Sequence, residues 1–526
     1  MKLLFLVPPQ IIKSPDGRVD YKPNVSIPLG VLYMAAYLRA QKWAGEMEVY
    51  DARISANILK KQEGEDRVIF GDSWATVAET ISKINPDVIA ITNMFSVQIS
   101  AALDTARLCK KVCPNAITVL GGPHASSFPG EMIKNPFLDY VVVAEGEQRL
   151  LIILSAIEKG EVVASQGIIG KEEDTQLLGP NKRAPVKFIN DIDSIPIPAY
   201  DLVDVERYFY LQSHGYAPRP REYGKRAVTI LTSRGCPHQC IFCSVQTTMG
   251  YRFRPHSREY ISAHIKHLRE NYDIDYIHFE DDNFTHDIDR FEEILDVLLE
   301  QNPIISWDTP NGVRADSWNY ERIKRTKESG ASYLCIALES SVQRVIDEVV
   351  KKKLDLSKVE EVMKACKEVN LSLQAFYIIG LPGETAEEIQ SNIDFAIEKY
   401  KRYEVYPTFS IANPLPGTEL YDIIVDNKLF TGTSPINMHK SNNPIISTDE
   451  FSPEYIRSVY DLACKRKTFV TVKYMLKNPK RLVEYVNRAL KNPWFFITII
   501  RATFRAILRE NFSQRKKGNQ QIAAGA

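Results

Sequence analysis

The stretch Ser233-Arg234-Gly235-Cys236-Pro237-His238-Gln239-Cys240-Ile241-Phe242-Cys243 decides how this sequence is interpreted. It follows the apolar run 227–232, which is predicted to be a β-strand. Thiolates suit iron–sulfur chemistry, and three of them at CxxxCxxC spacing on one loop can ligate three irons of a cubane cluster. The fourth iron is then left open to a small molecule. A zinc site is the alternative, with His238 as the ligand that closes a tetrahedron.

From this loop towards the C-terminus, short apolar runs alternate with helical patterns. Six strand–helix units predict a partial (β/α)6 barrel, with chemistry at the carboxyl ends of its strands. Beyond about residue 432 the strand signal stops and the pattern is helical. The predicted strands are 227–232, 276–279, 305–308, 333–338, 373–379 and 405–411, and helices lie between them, for example at 259–271 and 386–399.

Towards the N-terminus, a second series of strands and helices precedes the loop. Its alternation predicts an α/β domain with a doubly wound, parallel, Rossmann-like sheet that binds ligands at the carboxyl ends of its strands. Gly121 and Gly122 directly follow one of these strands, where a tight turn lets a ligand approach the backbone. The predicted strands are 3–7, 47–50, 88–92, 117–120 and 140–144, and the predicted helices include 29–40 and 99–112.

A chain of 526 residues is too long for a single hydrophobic core, so several domains are expected. We predict an N-terminal domain at 1–165 and the barrel at 223–432. Between them, 166–222 is rich in Pro, Gly and charge and is predicted to be a linker. A basic helical region is expected at 433–526.

The bulk composition, 44% hydrophobic and 25% charged, is that of an ordinary globular protein. Neither a signal peptide nor an apolar run of roughly 18–20 residues that could span a membrane is found. Three of the eight cysteines lie within eight residues, which indicates a metal site in a reducing compartment rather than a disulfide scaffold. We therefore expect a cytoplasmic protein, and we expect no nucleic-acid partner.

The cysteine spacing, with the aromatic Phe242 before the last Cys and a barrel strand before the loop, resembles the radical S-adenosylmethionine (SAM) superfamily. In that family SAM chelates the open iron of a 4Fe–4S cluster through its amino and carboxylate groups. An electron from the cluster then cleaves SAM to a 5′-deoxyadenosyl radical, which abstracts hydrogen from an unactivated carbon. The resemblance implies Cys236, Cys240 and Cys243 as cluster ligands, and it implies an external electron donor.

Motifs after the later barrel strands also resemble this family. Asp281, after the second strand, is implied to lie near the amino end of SAM. Glu339 ends the fourth strand in a motif similar to the family's Glu-Ser-Gly, whose Glu commonly contacts SAM, although Ser341 replaces the Gly here. Gly380 and Gly383 follow the fifth strand, where the backbone would line the adenine pocket.

The N-terminal domain resembles the cobalamin-binding domain of one subgroup of the family, on Gly121-Gly122-Pro123-His124 and Glu145-Gly146-Glu147. The resemblance implies that Gly121 and Gly122 help to hold cobalamin, with His124 nearby. The wider cobalamin-binding fold often uses Asp-x-His-x-x-Gly, whose His binds cobalt. Here Asp51 matches but Arg53 stands at the His position, and a protonated guanidinium has no lone pair for cobalt. The alternative is a vestigial domain that binds no corrinoid.

Three functions are weighed. The first is a cobalamin-dependent methyltransferase that acts on an unactivated carbon of a hydrophobic, tetrapyrrole-like or lipid-like small molecule. The second is a radical oxidoreductase or cyclase without methyl transfer, and the third is a structural iron–sulfur or zinc protein. Cys109, Cys113, Cys366 and Cys464 are expected to be buried small hydrophobes, and Cys335 is the one further cysteine that could face an active site.

The C-terminal region is unusually basic. Residues 465–526 hold fifteen Lys and Arg against only Glu484 and Glu510, a net charge of +13, so the first 464 residues carry −13. At 493–511, bulky apolar residues share a helical pattern with Arg501, Arg505 and Arg509. This helix either lies in a membrane interface with anionic lipids or packs its apolar face on the rest of the protein.

Overall fold

A computed structural model describes residues 1–13, 25–54, 59–63, 67–163, 165–171, 186–216, 225–431 and 443–477. The predicted amphipathic helix at 493–511 lies outside these described residues. Within them, no helix is both long enough and apolar enough to cross a membrane.

The N-terminal region alternates strands and helices, as predicted. Its strands are β1 Lys2–Val7, β2 Gln10–Lys13, β3 Glu46–Asp51, β4 Leu59–Glu63, β5 Arg67–Gly71, β6 Val88–Thr92, β7 Ile117–Gly121, β8 Tyr140–Val142 and β9 Ile168–Gly170. Its helices are α1 Leu29–Ala40, α2 Trp74–Ile84, α3 Ile99–Val112, α4 Pro123–Ser127, α5 Pro129–Met132 and α6 Glu147–Lys159.

Six of these strands form one sheet in the order β3-β1-β6-β7-β8-β9. All neighbours pair in parallel except the edge strand β9, which runs antiparallel to β8. Along β1, Leu4 and Leu6 pack on one face with α2 and α3, whereas Leu3 and Phe5 pack on the other with α1 and α6. Burial on both faces explains why the strand reads as a continuous apolar run.

A second, three-stranded antiparallel sheet with the order β2-β5-β4 was not predicted. Strand β4 has the sequence Leu-Lys-Lys-Gln-Glu, whose polar residues give no strand signal. Its existence depends on pairing with β5 rather than on its own pattern.

The barrel confirms the predicted (β/α)6 arrangement: six parallel strands follow one another in the order β10-β13-β14-β15-β16-β17. The strands of this half are β10 Ala227–Ile230, β11 Ser233–Arg234, β12 Arg254–Pro255, β13 Tyr276–Phe279, β14 Ser306–Asp308, β15 Ala331–Glu339, β16 Ser372–Ile379 and β17 Tyr406–Ile411. The helices are α7 Val205–Leu211, α8 Val245–Thr248, α9 Arg258–Tyr272, α10 Ile288–Leu299, α11 Tyr320–Glu328, α12 Val359–Glu368, α13 Ala386–Tyr403, α14 Glu419–Asp426 and α15 Pro453–Lys477.

Helix α13 illustrates how local sequence sets these elements. Thr385 accepts a hydrogen bond from the Glu388 backbone N–H, and the Glu388 carboxylate accepts one from the Thr385 N–H, which forms a capping box. Ile389, Ile393 and Ile397 recur at helical spacing and are buried against the barrel core.

The segment 166–222 is more than a connection. It supplies strand β9 and helix α7, and Ile195, Tyr200 and Tyr208 are at most 1% exposed. These side chains join the core of the barrel to Leu29 and Tyr33 of α1. Pro and Gly content indicated an irregular backbone here, but it does not report the burial of the apolar residues in between.

Candidate active site

The three cysteines lie on one loop, residues 235–253, which we call the cysteine loop. It connects β11 to β12, which pair antiparallel and form its stem. Gly235 precedes Cys236 with φ +83°, and a Cβ there would lie 2.3 Å from Arg252 O, so the stem requires glycine. The Cys236 N–H donates to Gly250 O at 3.2 Å and closes the loop.

Cys236, Cys240 and Cys243 are free and partly buried. Burial raises the pKa of Cys240 to about 11 and that of Cys243 to about 12, so these thiols keep their protons at neutral pH until a metal displaces them. Among the described residues, no group of three or more His, Cys, Asp or Glu side chains converges closely enough to hold a metal ion. Three thiols on one loop match the three protein ligands of a cubane with one open iron, whereas a closed tetrahedral zinc site needs a fourth ligand.

The loop after β13 forms hydrogen bonds with the residues that lead into the cysteine loop. Asp281 is buried, and its Oδ1 accepts hydrogen bonds from Thr232 N at 3.1 Å and Thr232 Oγ1 at 2.7 Å, as well as from the Ser233 hydroxyl. Burial raises its pKa. Asp281, predicted to lie near SAM, therefore braces the strand that enters the cysteine loop.

Two neighbours of Asp281 reach the cysteine loop itself and were not singled out from the sequence. Asp282 Oδ2 accepts from the Gly235 N–H at 2.8 Å, and Asn283 Nδ2 lies 3.7 Å from Cys236 Sγ. Burial raises the pKa of Asp282 to about 6. The run Glu280-Asp281-Asp282-Asn283 was the available signal, but it does not reveal which side chain reaches the loop.

Glu339 ends β15 close to the cysteine loop. Its Oε1 accepts from Lys352 Nζ at 2.8 Å, and both side chains are 7% exposed. Lys352 and Arg314 oppose the rise in the pKa of Cys240, which places their charges near that thiol. This end of the barrel therefore carries buried charges of both signs.

Ser341, which stands where the family has glycine, is accommodated without strain. The left-handed backbone conformation falls on Glu339, with φ +67°, and not on Ser341. The Ser341 N–H donates to Asn392 Oδ1 at 2.9 Å, and Asn392 Nδ2 donates to Glu339 O at 3.3 Å. Asn392 of α13 thus holds this turn.

Gly380 and Gly383 lie in the loop after β16, as predicted, and they pack closely on neighbouring elements. A Cβ on Gly380 would lie 3.2 Å from Ile456 of α15, and one on Gly383 would lie 3.3 Å from Val349. Beside them, Glu384 is fully buried and accepts from the Leu381 N–H at 2.7 Å. Burial raises its pKa to about 8.

At the carboxyl end of the N-terminal sheet, the backbone after β6 meets the backbone after β7. Gly122 has φ +117°, and a Cβ there would lie 2.1 Å from Asn93 O. Gly121 has room for a side-chain carbon, because a Cβ there would lie 4.0 Å from its nearest neighbour, Val142 Cβ. Asn93 is buried, and its side-chain Oδ1 has no hydrogen-bond partner among the described residues.

The loop after Asn93 is apolar and open. Met94, Phe95 and Val97 are 46%, 58% and 47% exposed. Contiguous exposed apolar side chains beside a buried amide oxygen and a close backbone approach fit a large ligand with an apolar face and polar substituents, as a corrinoid is. Asn93 and this loop were not predicted to belong to the site.

The segment that carries histidine in the wider cobalamin-binding fold forms a buried ion pair here, between Arg53 and Asp51. Arg53 donates to Asp51 through Nε at 2.8 Å and Nη2 at 2.6 Å, and both side chains are buried. Burial lowers the pKa of Arg53, but the adjacent Asp51 carboxylate outweighs this and the net pKa is raised. The Tyr208 hydroxyl also donates to Asp51, at 2.7 Å. The Arg53 guanidinium is therefore engaged in hydrogen bonds within the protein, chiefly with Asp51.

The loops at the carboxyl ends of the two sheets contact each other. Ser127 Oγ of α4 donates to Pro416 O, in the loop after β17, at 3.0 Å. Thr247 Oγ1 of the cysteine loop donates to Gly417 O at 2.9 Å. His124, at the start of α4, is buried and packs edge-on against Phe128, 5.3 Å between ring centroids.

Comparisons with known proteins agree with this architecture. The Radical SAM superfamily matches residues 230–396, and the B12 binding domain matches residues 19–154. Cytidylyl-2-hydroxyethylphosphonate methyltransferase of Streptomyces wedmorensis is 30% identical over 425 residues, which are 76% of this chain and 78% of that protein. The chain belongs to the radical SAM superfamily, in the group with a B12-binding domain.

Two further proteins match over much of their length. The anaerobic magnesium-protoporphyrin IX monomethyl ester cyclase of Rubrivivax gelatinosus is 24% identical over 401 residues, 75% of this chain and 65% of that protein. The structure of the cobalamin-dependent radical enzyme OxsB, with aqua-cobalamin and SAM bound, superposes with a TM-score of 0.66 at 17% identity. That superposition covers 94% of this chain and 72% of OxsB.

Membership of this radical SAM group confirms the predicted fold class and the prediction of an enzyme. It also confirms the predicted cofactors, which are a 4Fe–4S cluster, SAM and cobalamin. The interpretation as a structural iron–sulfur or zinc protein is therefore wrong. Cys109, Cys113 and Cys366 are buried, as expected, whereas Cys464 is only partly buried. Cys335 is 1% exposed inside β15.

Proposed function

We propose that this protein is a methyltransferase that adds a methyl group to an unactivated carbon, with one SAM as radical source and cobalamin as methyl carrier. The observation that carries the proposal is the contact between the carboxyl-end loops of the two sheets, through Ser127 and Pro416. A radical formed at the barrel and a methyl group held by the N-terminal domain have to reach the same substrate. The relative from Streptomyces wedmorensis, 30% identical, is also a methyltransferase.

Within this function, Cys236, Cys240 and Cys243 hold the cluster and leave one iron open for SAM. When bound, the cluster supplies the electron that cleaves SAM. Glu339 contacts SAM, and the loop with Gly380 and Gly383 lines the adenine pocket. Asp281 acts indirectly, because both Thr232 and Ser233 engage its carboxylate.

In the N-terminal domain, Gly121 and Gly122 give cobalamin its close backbone approach, beside the open apolar loop after β6. Arg53 is paired with Asp51, so no side chain at that position binds cobalt. When bound, cobalamin supplies a transferable methyl group.

The substrate is a small molecule with an apolar part, and an external donor supplies the electron. Leu415 is 40% exposed in the loop after β17, next to Pro416, so apolar side chains are exposed in the carboxyl-end loops of both sheets. This surface supports the hydrophobic class over a highly charged one. The cytidylyl phosphonate of the Streptomyces wedmorensis relative is the polar alternative.

A radical cyclase or oxidoreductase is the second candidate, and the 24% identical cyclase of Rubrivivax gelatinosus favours it. Anaerobic reconstitution, followed by iron and cobalt analysis and incubation with methyl-labelled SAM, separates the two. With a chemical reductant present, a methyltransferase would pass label from the SAM methyl group to its corrinoid even without substrate. A protein that binds corrinoid and cleaves SAM, yet never labels the corrinoid, is a cyclase or oxidoreductase.

We also propose that the C-terminal region contacts an anionic membrane surface. Helix α15 exposes an apolar stripe of Leu462, Phe469, Val472 and Leu476, which are 47%, 71%, 44% and 73% exposed. These residues share one face over ~21 Å of helix. Lys465 and Lys473 lie in or beside this stripe, and the chain continues from it into the basic segment.

Co-sedimentation with anionic liposomes tests this contact. The double variant Phe469→Ser/Leu476→Ser should reduce binding, and salt should weaken it further. Val162→Ser is the matched control, because Val162 is 84% exposed and lies in the other domain. A full-length protein that stays in the supernatant would leave the alternative, packing of the basic segment on the protein.

A further inference from the structure

A pair of arginines marks the stem of the cysteine loop. Arg234 of β11 and Arg254 of β12 face each other in the antiparallel register, at the point where the loop begins and ends. Arg234 lies two positions before Cys236 in the sequence. Any group that holds these two side chains therefore also holds the base of the loop with the three cysteines.

The groups that hold them come from the N-terminal domain. Glu145 Oε1 accepts from Arg234 Nη1 at 3.0 Å and from Arg254 Nη1 at 2.8 Å. Glu147 Oε1 accepts from Arg234 Nη2 at 2.8 Å. Glu145 lies in the turn between β8 and α6, and Glu147 is the first residue of α6, at the carboxyl end of the N-terminal sheet.

This group is buried, and each of its four side chains has an oppositely charged partner. The four side chains are at most 5% exposed, and two positive charges balance two negative ones. Glu145 Oε2 also accepts from the Ile189 N–H at 2.7 Å, so the connecting segment joins the same group. The Arg234 guanidinium lies 5.2 Å from the centre of the Tyr33 ring of α1.

Buried ion pairs give little net stability over well-packed apolar residues, because desolvation offsets their attraction. Their rigid, directional geometry is the larger effect, and an arginine fork that bonds two carboxylates admits few arrangements. Four such side chains across a domain boundary therefore specify a position.

We propose that Glu145, Glu147, Arg234 and Arg254 form a domain clamp that positions the cysteine loop relative to the cobalamin-binding sheet. These are positioning residues, since none of them is assigned to touch a cofactor. The inference rests on the proposed function, in which two cofactors on two domains act on one substrate. A loosened clamp leaves both cofactors bound but at a variable separation.

Pulsed electron paramagnetic resonance on the holoenzyme measures that separation, between the reduced cluster and Co(II) cobalamin. Arg234→Lys keeps the charge but loses the fork, and Glu145→Gln removes the charge shared by both arginines. Each should broaden the distance distribution at unchanged iron and cobalt content. Arg39→Lys is the matched control, because Arg39 also forms a two-point pair, with Asp201, but at an exposed position.

Amide hydrogen exchange gives a second readout that needs no corrinoid. Exchange in the cysteine loop, including the Cys236 N–H, should become about tenfold faster in Arg234→Lys, the effect of one lost charge-assisted hydrogen bond. The same amides should be unchanged in Arg39→Lys. If Glu145→Gln fails to fold, Arg234→Lys carries both measurements.

Unchanged distance distributions and exchange rates in Arg234→Lys would overturn the clamp. Loss of iron from that variant would overturn it as well, because Arg234 would then build the cluster site and not position it. A wild-type protein without cluster or corrinoid would contradict the proposed function. A wild-type protein with both, and variants that match it, would contradict the clamp alone.

Discussion

The two six-stranded sheets present opposite chemistry at their carboxyl ends. At the barrel, Glu339 pairs with Lys352 while Asp282 supports the cysteine loop, so buried charges surround the site. At the N-terminal sheet, Met94 and Phe95 stand open beside Gly122. A charged end suits SAM, with its amino, carboxylate and sulfonium groups, whereas an apolar end suits the face of a large macrocycle.

Strand order adds to this difference. In the barrel each strand neighbours the next one of the series, so the polar loops form a curved row around one centre. In the N-terminal sheet the chain adds strands on both sides of β1, and a crevice forms where the order reverses. The first arrangement concentrates side chains on a small ligand, and the second leaves a broad cleft.

The largest expected effect is confined to the carboxyl end of the barrel and leaves the N-terminal sheet unaffected. Replacing Cys236, Cys240 or Cys243 with Ala should abolish the cluster and SAM cleavage together, because all three ligands are needed to leave one open iron. Corrinoid binding should remain. Cys109→Ala, inside the N-terminal core, should change neither iron content nor cleavage. An intact, fully occupied cluster in Cys240→Ala would contradict the assignment.

Gly122→Ala should impair the other end. Its Cβ would meet Asn93 O at 2.1 Å, so the turn must distort at a cost of about 1–3 kcal/mol. We expect cobalamin binding, measured by titration, to weaken about tenfold or more, since 1.4 kcal/mol is a factor of ten. Iron content should stay normal. Gly121→Ala has room for its methyl group, and an equal loss in that variant would contradict the explanation.

Arg53→Met tests the buried Arg53–Asp51 ion pair, in which Arg53 stands at the position of the cobalt-binding histidine. The variant leaves Asp51 buried without its cation, which should cost about 3–5 kcal/mol in the free energy of unfolding. Arg39→Met, at an exposed pair, should cost less than about 1 kcal/mol. Chemical denaturation measures both. A loss no larger for Arg53→Met than for Arg39→Met would show that Asp51 is not held as described.

The Arg53–Asp51 ion pair also predicts a feature of the electron paramagnetic resonance spectrum. Electron paramagnetic resonance of the Co(II) form should show no nitrogen splitting from a histidine, because Arg53 occupies the position and is paired with Asp51. Splitting from a protein imidazole would contradict this interpretation of residues 51–54.

The last expected effect is a dependence of the stability on pH. Burial raises the pKa of Glu384 from its usual range to about 8, so the folded state prefers the protonated form. Its contribution to stability is complete below the unfolded pKa and is lost as the pH rises through about 8. Glu384→Gln should therefore gain stability relative to wild type between pH 5 and 8, by at most about 1.4 kcal/mol per pH unit. Parallel stability curves for the two proteins would contradict the burial of a neutral carboxyl group.

The sequence was informative where a local pattern decides the structure. The strands 88–92 and 276–279 and the helices 29–40 and 99–112 were predicted with the bounds they have, because apolar periodicity and turn residues mark them. The cysteine loop was equally clear, since three ligands lie within eight residues.

What depends on distant partners could not be predicted. Strand β4 is polar and exists only through its pairing with β5. Asn93 looked like an ordinary loop residue until the topology brought it beside Gly122. The acidic run at 280–283 was visible in the sequence, but not that Asp282 reaches Gly235. The pairing of Glu145 with Arg234 spans 89 residues, and charge alone does not select one partner among so many.

That span also has a consequence for synthesis of the chain. The N-terminal sheet leaves the ribosome first, and Arg234 follows Glu145 by 89 residues and Arg254 by 109. At roughly 5–20 residues per second, the two glutamates wait for several seconds before their arginine partners in the barrel half are synthesised. During that interval water must solvate both carboxylates, so the nascent domain folds with an open acidic edge. The three cysteines are synthesised just after Arg234, when this acidic edge first gains its partner. The cysteine loop therefore takes its position from an N-terminal sheet that has already been synthesised.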